Sequence, residues 1–359
     1  VKARPEGKDI AIRSANFTLY ADMSNRMMEC FARFAPRTEI YSIDESFLDW
    51  TGLTETTALA VASDLRKTVL QWTGLPISIG LGPNKTLAKL ANRAAKKGDG
   101  LASVIDPAVR TSALTGTAVA DVWGIGRRWS HVLRCRGIYT ADELRQVDRR
   151  WARQRMGVVG QRTVDELNGL ACIDLEDADP AKKSIAVTRS FGRMVQDQSD
   201  LQEIVRSLAA RAAEKLRQAR VVGEAVNVFL TSNVFRADLP QHAGNASVAL
   251  GRPGNDSRDI LSAALVALSR VYRPGVPYKK AGVLMLGLTD PEKRPPRFIG
   301  ETGPVRDGRV MKALDSINAK FGAGSINTGQ IKRPRNWIMN QQFRSQRFTT
   351  RWDELPKVR

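Results

Sequence analysis

Two adjacent carboxylates, Asp44 and Glu45, interrupt a run of β-branched and aromatic residues between Thr38 and Trp50. Neighbouring strand residues point to opposite faces, so one acid of such a pair would face a core and pay for its desolvation. At a strand end both can turn toward a hard divalent cation such as Mg²⁺, which takes oxygen ligands and keeps positions for water and substrate phosphates. A solvated turn would carry the same two residues, so the pair alone does not decide. A second constellation, Gly82-Pro83-Asn84-Lys85-Thr86-Leu87-Ala88-Lys89, runs on to Ala95-Lys96-Lys97. A breaker followed by a helix start predicts free backbone N–H groups beside several ammonium groups, an environment suited to a triphosphate. The Gly-Lys-Ser/Thr ending of a Walker A loop is absent, and an ordinary helix with a solvated lysine face would read the same way. Carboxylates for metal and lysines for phosphate are complementary halves of a nucleotidyl-transfer site.

The third constellation is Gly124-Ile125-Gly126, followed by Arg127 and Arg128. Two glycines around one apolar residue predict a tight hairpin whose N–H groups approach a phosphate while Ile125 anchors the turn. The pattern resembles a helix-hairpin-helix, a binder of DNA backbone without sequence preference; a plain helix-helix turn is the alternative. Gly157 and Gly160 read as turns.

The elements that must position these residues follow from periodicity. Residues 1–112 predict an α/β unit: a helix over 20–34, two strands around Asp44-Glu45, a helix over 55–72, a strand over 76–81, a helix over 85–97 and a strand over 101–105. Such alternation suggests one mixed sheet covered by helices. Residues 113–178 show short helical patterns broken by glycines, and 179–183 lie in a charged linker. From 184 to about 290 the order is strand, helix, strand, strand, helix, strand, a small sheet with two helices on one face. A helix over 306–321 and a basic, aromatic tail complete the chain.

The 359 residues carry 56 Lys plus Arg against 37 Asp plus Glu, a net charge of +19, which favours a polyanionic partner over mere solubility. Hydrophobic residues at 42% and charged residues at 26% exclude a disordered tail, a fibre or a membrane bundle. No run of apolar residues is long enough to cross a bilayer and no secretory signal pattern is present, so a cytoplasmic location is expected. Cys30, Cys135 and Cys172 are too scattered for a disulfide framework or a CxxC motif, and with only His131 and His242 beside them any metal would be held by carboxylates.

Tyr-Ser-Ile-Asp-Glu-Ser at 41–46, Asn-Lys-Thr-Leu-Ala-Lys-Leu-Ala-Asn at 84–92 and Val-Trp-Gly-Ile-Gly-Arg-Arg at 122–128 follow one another as in Y-family DNA polymerases. The segments 19–26, 210–216, 244–248, 256–260 and 350–355 resemble the UmuC branch of that family, so the likeness spans essentially the whole chain. It implies an α+β multidomain fold. The expected parts are a palm with a mixed sheet and helices (1–112), a helical thumb with a helix-hairpin-helix (113–178), a linker (179–183), a βαββαβ little finger (184–290) and a UmuC-type C-terminal extension (291–359). The implied activity is error-prone translesion synthesis in DNA repair and the SOS response, with deoxynucleoside triphosphates added to a primer by two Mg²⁺ ions. By the same resemblance Asp44 and Glu45 ligate metal, Lys96 contacts the incoming triphosphate, and Gly124, Ile125, Gly126, Arg127 and Arg128 hold DNA.

Two departures from the family pattern carry expectations of their own. The family's first palm strand, with a further metal-binding Asp, and its fingers lie upstream of the motifs found here. The chain begins at Val1 and is read as an N-terminally truncated fragment that binds primer-template DNA and polymerises poorly. No Gln-Leu-x-Leu-Phe-type peptide occurs in 288–298, so sliding-clamp binding there is not expected. The resemblance implies a UmuD-like dimer and a RecA-like filament as partners. The tail, with Lys332, Arg333, Arg335, Arg344, Arg347 and Arg351 among Trp337, Phe343, Phe348 and Trp352, reads either as a binding segment or as a cap folded against the little finger. Two other readings stand beside the polymerase: a non-catalytic DNA-binding accessory derived from one, and a basic interaction protein that recruits one.

Overall fold

The computed structural model describes residues 12–176, 182–293, 308–322, 324–328, 337 and 341–355. The chain divides into two compact units, 1–179 with 343–359, and 180–342.

In the first unit, Asn16 caps α1 (Phe17–Phe31) and Thr54 caps α2 (Glu55–Thr73), whose end is turned by Gly74 at φ +72. The two helices share a core in which Met27, Cys30 and Phe31 meet Leu65 and Val69. Leu48 and Trp50 pack against that core, which seats the antiparallel hairpin of β1 (Thr38–Ile40) and β2 (Ser46–Leu48). Further on, β3 (Ile79–Leu81) and β4 (Leu101–Ser103) pair in parallel across α3 (Lys85–Ala95). The helix lies so close to β3 that a Cβ on Gly80 would fall 2.0 Å from the Asn92 nitrogen, so only glycine fits there.

One expectation is corrected in this region. The strands do not form one mixed sheet among the described residues; they form two separate two-stranded ladders, one antiparallel and one parallel. Local pattern marks a strand but not its partner, and three-residue strands carry too little alternation to specify one.

The helices α4 (Pro107–Thr115), α5 (Arg127–Arg134), α6 (Ala141–Arg145) and α7 (Arg149–Leu167) enclose a second core containing Leu114, Leu133, Leu144 and Leu167, to which α3 contributes Leu87 and Leu90. Gly157, at φ +74, breaks α7, whereas Gly160 lies inside the helix, where a Cβ would strike Met156. Residues 343–355 also belong to this unit. Asn16 Nδ2 donates to the carbonyls of Ser345 and Gln346, and the Ser14 N–H donates to the carbonyl of Phe343.

The second unit has β5 (Ser184–Val195), α8 (Gln198–Gln218), β6 (Gly223–Ser232), β7 (Ala243–Gly254), α9 (Ser257–Val271) and β8 (Tyr278–Leu286). The sheet order is β5-β8-β6-β7 with every pair antiparallel, the expected βαββαβ arrangement. Strict alternation along β6 buries Val226, Val228 and Leu230 against Leu201, Leu208 and Leu216 of α8 and Ile260 and Leu268 of α9. The strand expected over 247–250 extends to twelve residues because its Gly, Asn and Ala positions pair along β6 despite poor strand propensity. A last helix, α10 (Arg309–Phe321), is tied to α8 by a two-bond ion pair between Arg217 and Asp315, at 2.6 and 2.7 Å.

The tail is therefore not a single cap on the second unit. Trp337 is buried edge-on against Phe191 in the second unit, while 343–355 folds in the first. There Arg347 pairs with Glu354 and Arg351 with Asp353, and Trp352 is 90% exposed. Lys332, Arg333 and Arg335, and the part of the 288–298 stretch after residue 293, lie outside the described residues. Among the described residues no helix is long and apolar enough to cross a membrane.

Candidate active site

Asp44 and Glu45 lie in the connection between β1 and β2. The N–H groups of Tyr41 and Ser42 both donate to the Glu45 carbonyl, at 3.1 and 3.0 Å, closing the turn. Asp44 is exposed, and its Oδ1 accepts from Ser42 Oγ at 2.7 Å. Glu45 Oε2 accepts from Lys89 Nζ at 2.6 Å, with the two side chains 29% and 20% exposed. The turn thus presents carboxylate oxygens beside an ammonium carried by α3.

The start of α3 corrects the expected phosphate cradle. Asn84 Oδ1 caps the helix by accepting from Leu87 N–H at 3.0 Å, and its Nδ2 donates to the carbonyls of Glu166 and Leu170. Lys85, 7% exposed, pairs with Glu39 of β1 and donates to the Asp174 carbonyl. The N–H and hydroxyl of Thr86 both go to Glu166, a fully buried carboxylate that also accepts from the N–H groups of Cys172 and Ile173. The Asn84, Lys85 and Thr86 side chains and the Thr86 and Leu87 N–H groups are thus bonded within the protein, because a buried donor without a partner is costly.

Further lysines lie along the same helix. Lys85, Lys89 and Lys96 recur at spacings of four and seven, which places them on one face. Lys96, the exposed residue at the end of α3, stands about 10 Å beyond Lys89 along the helix axis. The structure brings Lys89 to Glu45 and leaves Lys96 on the same stripe, away from that carboxylate. The reading of the residues counted Lys89 among the ammonium groups of a triphosphate site, whereas in the structure it pairs with Glu45.

The glycine hairpin adjoins the carboxylate turn. Gly124 adopts φ +88, Gly126 precedes the first residue of α5, and Ile125 is buried, the anchored turn that was expected. Arg127 and Arg128 are exposed at the helix start. Beside them α5 lines a groove of about 640 Å³ with Arg127, Ser130, His131, Arg134 and Cys135, closed by Ala120 and Tyr139, a lining without a carboxylate. Trp123, part of the 122–128 motif but given no role of its own from the sequence, faces the carboxylate turn. Its Nε1–H donates to Tyr41 Oη at 3.1 Å, and its ring packs on Tyr41 and Phe47.

Among the described residues no three His, Cys, Asp or Glu side chains gather as a metal cage. The Asp44-Glu45 turn nevertheless fits a hard cation. It offers adjacent oxygen donors, one exposed and the other already neutralised by a positive charge, and Mg²⁺ commonly takes only one or two carboxylates, with phosphates and water completing its shell.

The fold is that of a Y-family DNA polymerase. A solved chimeric Y-family polymerase built from Dbh and Dpo4 superposes with a TM-score of 0.61, covering 76% of this chain and 77% of that one at 18% identity. In sequence, the impB/mucB/samB family profile matches residues 2–93, its C-terminal-domain profile 182–296, and a domain of unknown function, DUF4113, 308–358. UmuC of Salmonella typhimurium strain LT2 is 38% identical across 100% of this chain and 86% of its own length. MucB of Escherichia coli is 38% identical across 99% and 86%, and DNA polymerase IV of Moorella thermoacetica is 29% identical across 86% and 76%. The chain belongs to the impB/mucB/samB family, in which it stands beside UmuC. Kinship of this extent does not favour a non-catalytic accessory.

Proposed function

We propose that this UmuC-like translesion DNA polymerase carries out nucleotidyl transfer at the Asp44-Glu45 turn. The observation that carries the reading is the meeting of that turn with the lysine face of α3 and the glycine hairpin in one unit. Asp44 and Glu45 would hold Mg²⁺, two ions by family resemblance. Bound there, the metal would supply charge neutralisation at the attacking and leaving oxygens of an in-line displacement. Lys96 would neutralise charge on the departing pyrophosphate of the incoming deoxynucleoside triphosphate. The primer 3′-oxygen, its proton released to solvent, would form the new bond to the α-phosphorus as the bond to pyrophosphate breaks. Lys89 would keep the Glu45 carboxylate at its place in the turn through their 2.6 Å bond.

Gly124 and Gly126, with Ile125 as anchor, would offer N–H groups to a DNA phosphate, and Arg127 and Arg128 would add charge. Such contacts fix position on the duplex without reading sequence. The assignment of 1–112 as palm, 113–178 as thumb, 179–183 as linker, 184–290 as little finger and 291–359 as UmuC-type extension belongs to the same proposal. So do the SOS-response role and the UmuD-like and RecA-like partners, supported by the family relationship.

Replacing one catalytic carboxylate tests the reading. Asp44→Asn should lower primer extension by about 100-fold or more, the scale on which removal of a transition-state stabiliser acts, while DNA still binds with an affinity that falls linearly against salt on logarithmic axes. Extension at the parental rate would remove the assignment.

A further inference from the structure

Trp123 stands between the two halves of the candidate site and is used by neither in the scheme above. Its neighbours Val122 and Ile125 are buried in the helical core. The Trp123 ring turns away from that core onto Tyr41 and Phe47, with centroids 5.7 and 5.8 Å away. The indole N–H, a donor with no acceptor function, is satisfied by Tyr41 Oη at 3.1 Å. Tyr41 reaches Glu45 in two ways. Its backbone N–H donates to the Glu45 carbonyl at 3.1 Å. Its ring lies 4.7 Å from Lys89 Nζ, the group that holds the Glu45 carboxylate, within the range of a cation–π contact. Phe47 closes the arrangement, edge-on to Tyr41 at 5.6 Å and 6.0 Å from the same ammonium. Tyr41, the residue the indole touches, thus meets the Glu45 backbone directly and its carboxylate through Lys89.

We propose that Trp123 is a positioning residue for Glu45, acting through Tyr41 and Lys89, so that the hairpin that grips DNA backbone also sets the geometry of the carboxylate turn. The inference rests on the reading of Asp44-Glu45 as the cation-binding turn. Without the indole N–H, the Tyr41 hydroxyl loses its tether. The aromatic wall that orients Lys89 loosens, and Glu45 samples positions in which it no longer acts with Asp44. The glycine N–H groups of the hairpin are untouched by the change, so the grip on DNA persists.

The test is Mn²⁺ binding to the protein alone, followed by electron paramagnetic resonance, alongside steady-state primer extension. Trp123→Phe keeps a ring and removes the donor; Tyr41→Phe keeps a ring on Lys89 and removes the acceptor. Each variant should weaken Mn²⁺ binding and lower kcat by about 3- to 10-fold, the worth of one hydrogen bond. KM for the nucleotide and Kd for DNA should stay within about twofold, because uniform binding is unaffected. The double variant should be no worse than either single one, since both remove the same bond. Parental Mn²⁺ affinity and kcat in Trp123→Phe, or losses that add in the double variant, would overturn the proposal. Asp44→Asn separates the two ideas. If it abolishes Mn²⁺ binding while Trp123→Phe is silent, only the positioning role fails. If Asp44→Asn binds Mn²⁺ and extends primers like the parent, the reading of the turn fails and the positioning role falls with it.

Discussion

The two units of the molecule are held together by different physics. Around the carboxylate turn the first unit buries charged and polar side chains, Lys85 at 7% exposure, Asp165 at 5% and Glu166 at 0%, and satisfies each with directional bonds. The second unit stacks α8 and α9 on four strands through Val, Leu, Ile and Ala side chains, with few buried polar groups. Apolar packing is non-directional and tolerates small adjustments, whereas a network of hydrogen bonds holds each partner to a narrow range of distance and angle. A region that must hold two carboxylates at defined positions benefits from the second kind of constraint. A region that has only to present a sheet face can rely on the first.

The largest expected effect breaks the polar side of this comparison. Glu166→Ala strands the Thr86, Cys172 and Ile173 N–H groups without an acceptor and should destabilise the first unit by about 3 to 5 kcal/mol, read by chemical denaturation. Because Thr86 stands one turn from Lys89, primer extension should fall with it even at temperatures where the unit stays folded. The apolar side is expected to behave differently. Leu216→Ala, in the core of the second unit, should cost about 2 to 4 kcal/mol by the same measurement and leave kcat at the parental value once the protein is folded. Loss of kcat in Leu216→Ala, or its retention in Glu166→Ala, would collapse the distinction.

A smaller effect sharpens the comparison by pH. Asp49, just after β2, accepts hydrogen bonds from Thr51, and these hold its carboxyl below the usual carboxylate range. A depressed folded-state value means stability that is present above the ordinary carboxylate range and lost as pH falls through the lowered value. Thermal melting between pH 6 and pH 3 should therefore show an acid limb that Asp49→Asn flattens. An unchanged limb would show that Asp49 contributes nothing to it.

The helices were legible because their periods and caps are local. Thr54 before α2, Asn84 before α3 and Gly74 after α2 act within a few residues of their own position. Asp44-Glu45 could be placed at a strand end for the same reason, since two adjacent acids in a strand interior would be costly. The glycine hairpin could be drawn from Gly124 and Gly126, because a turn with positive φ is a local requirement. The pairing of the short strands was not legible. Neither was the division of the tail between Trp337 in one unit and 343–355 in the other, since aromatic and basic composition does not name a docking site.

What the sequence by itself determined was the set of chemical parts and the local elements that carry them: a carboxylate turn, a lysine-bearing helix and a glycine hairpin, in that order along the chain. Tertiary structure decided which parts meet. It joined Lys85 and Thr86 to Glu39 and Glu166, gave Lys89 to Glu45, and brought Trp123 across 82 residues of chain to Tyr41. Bonds between residues far apart in sequence form only when packing brings their elements together, and neither spacing nor composition records where that happens.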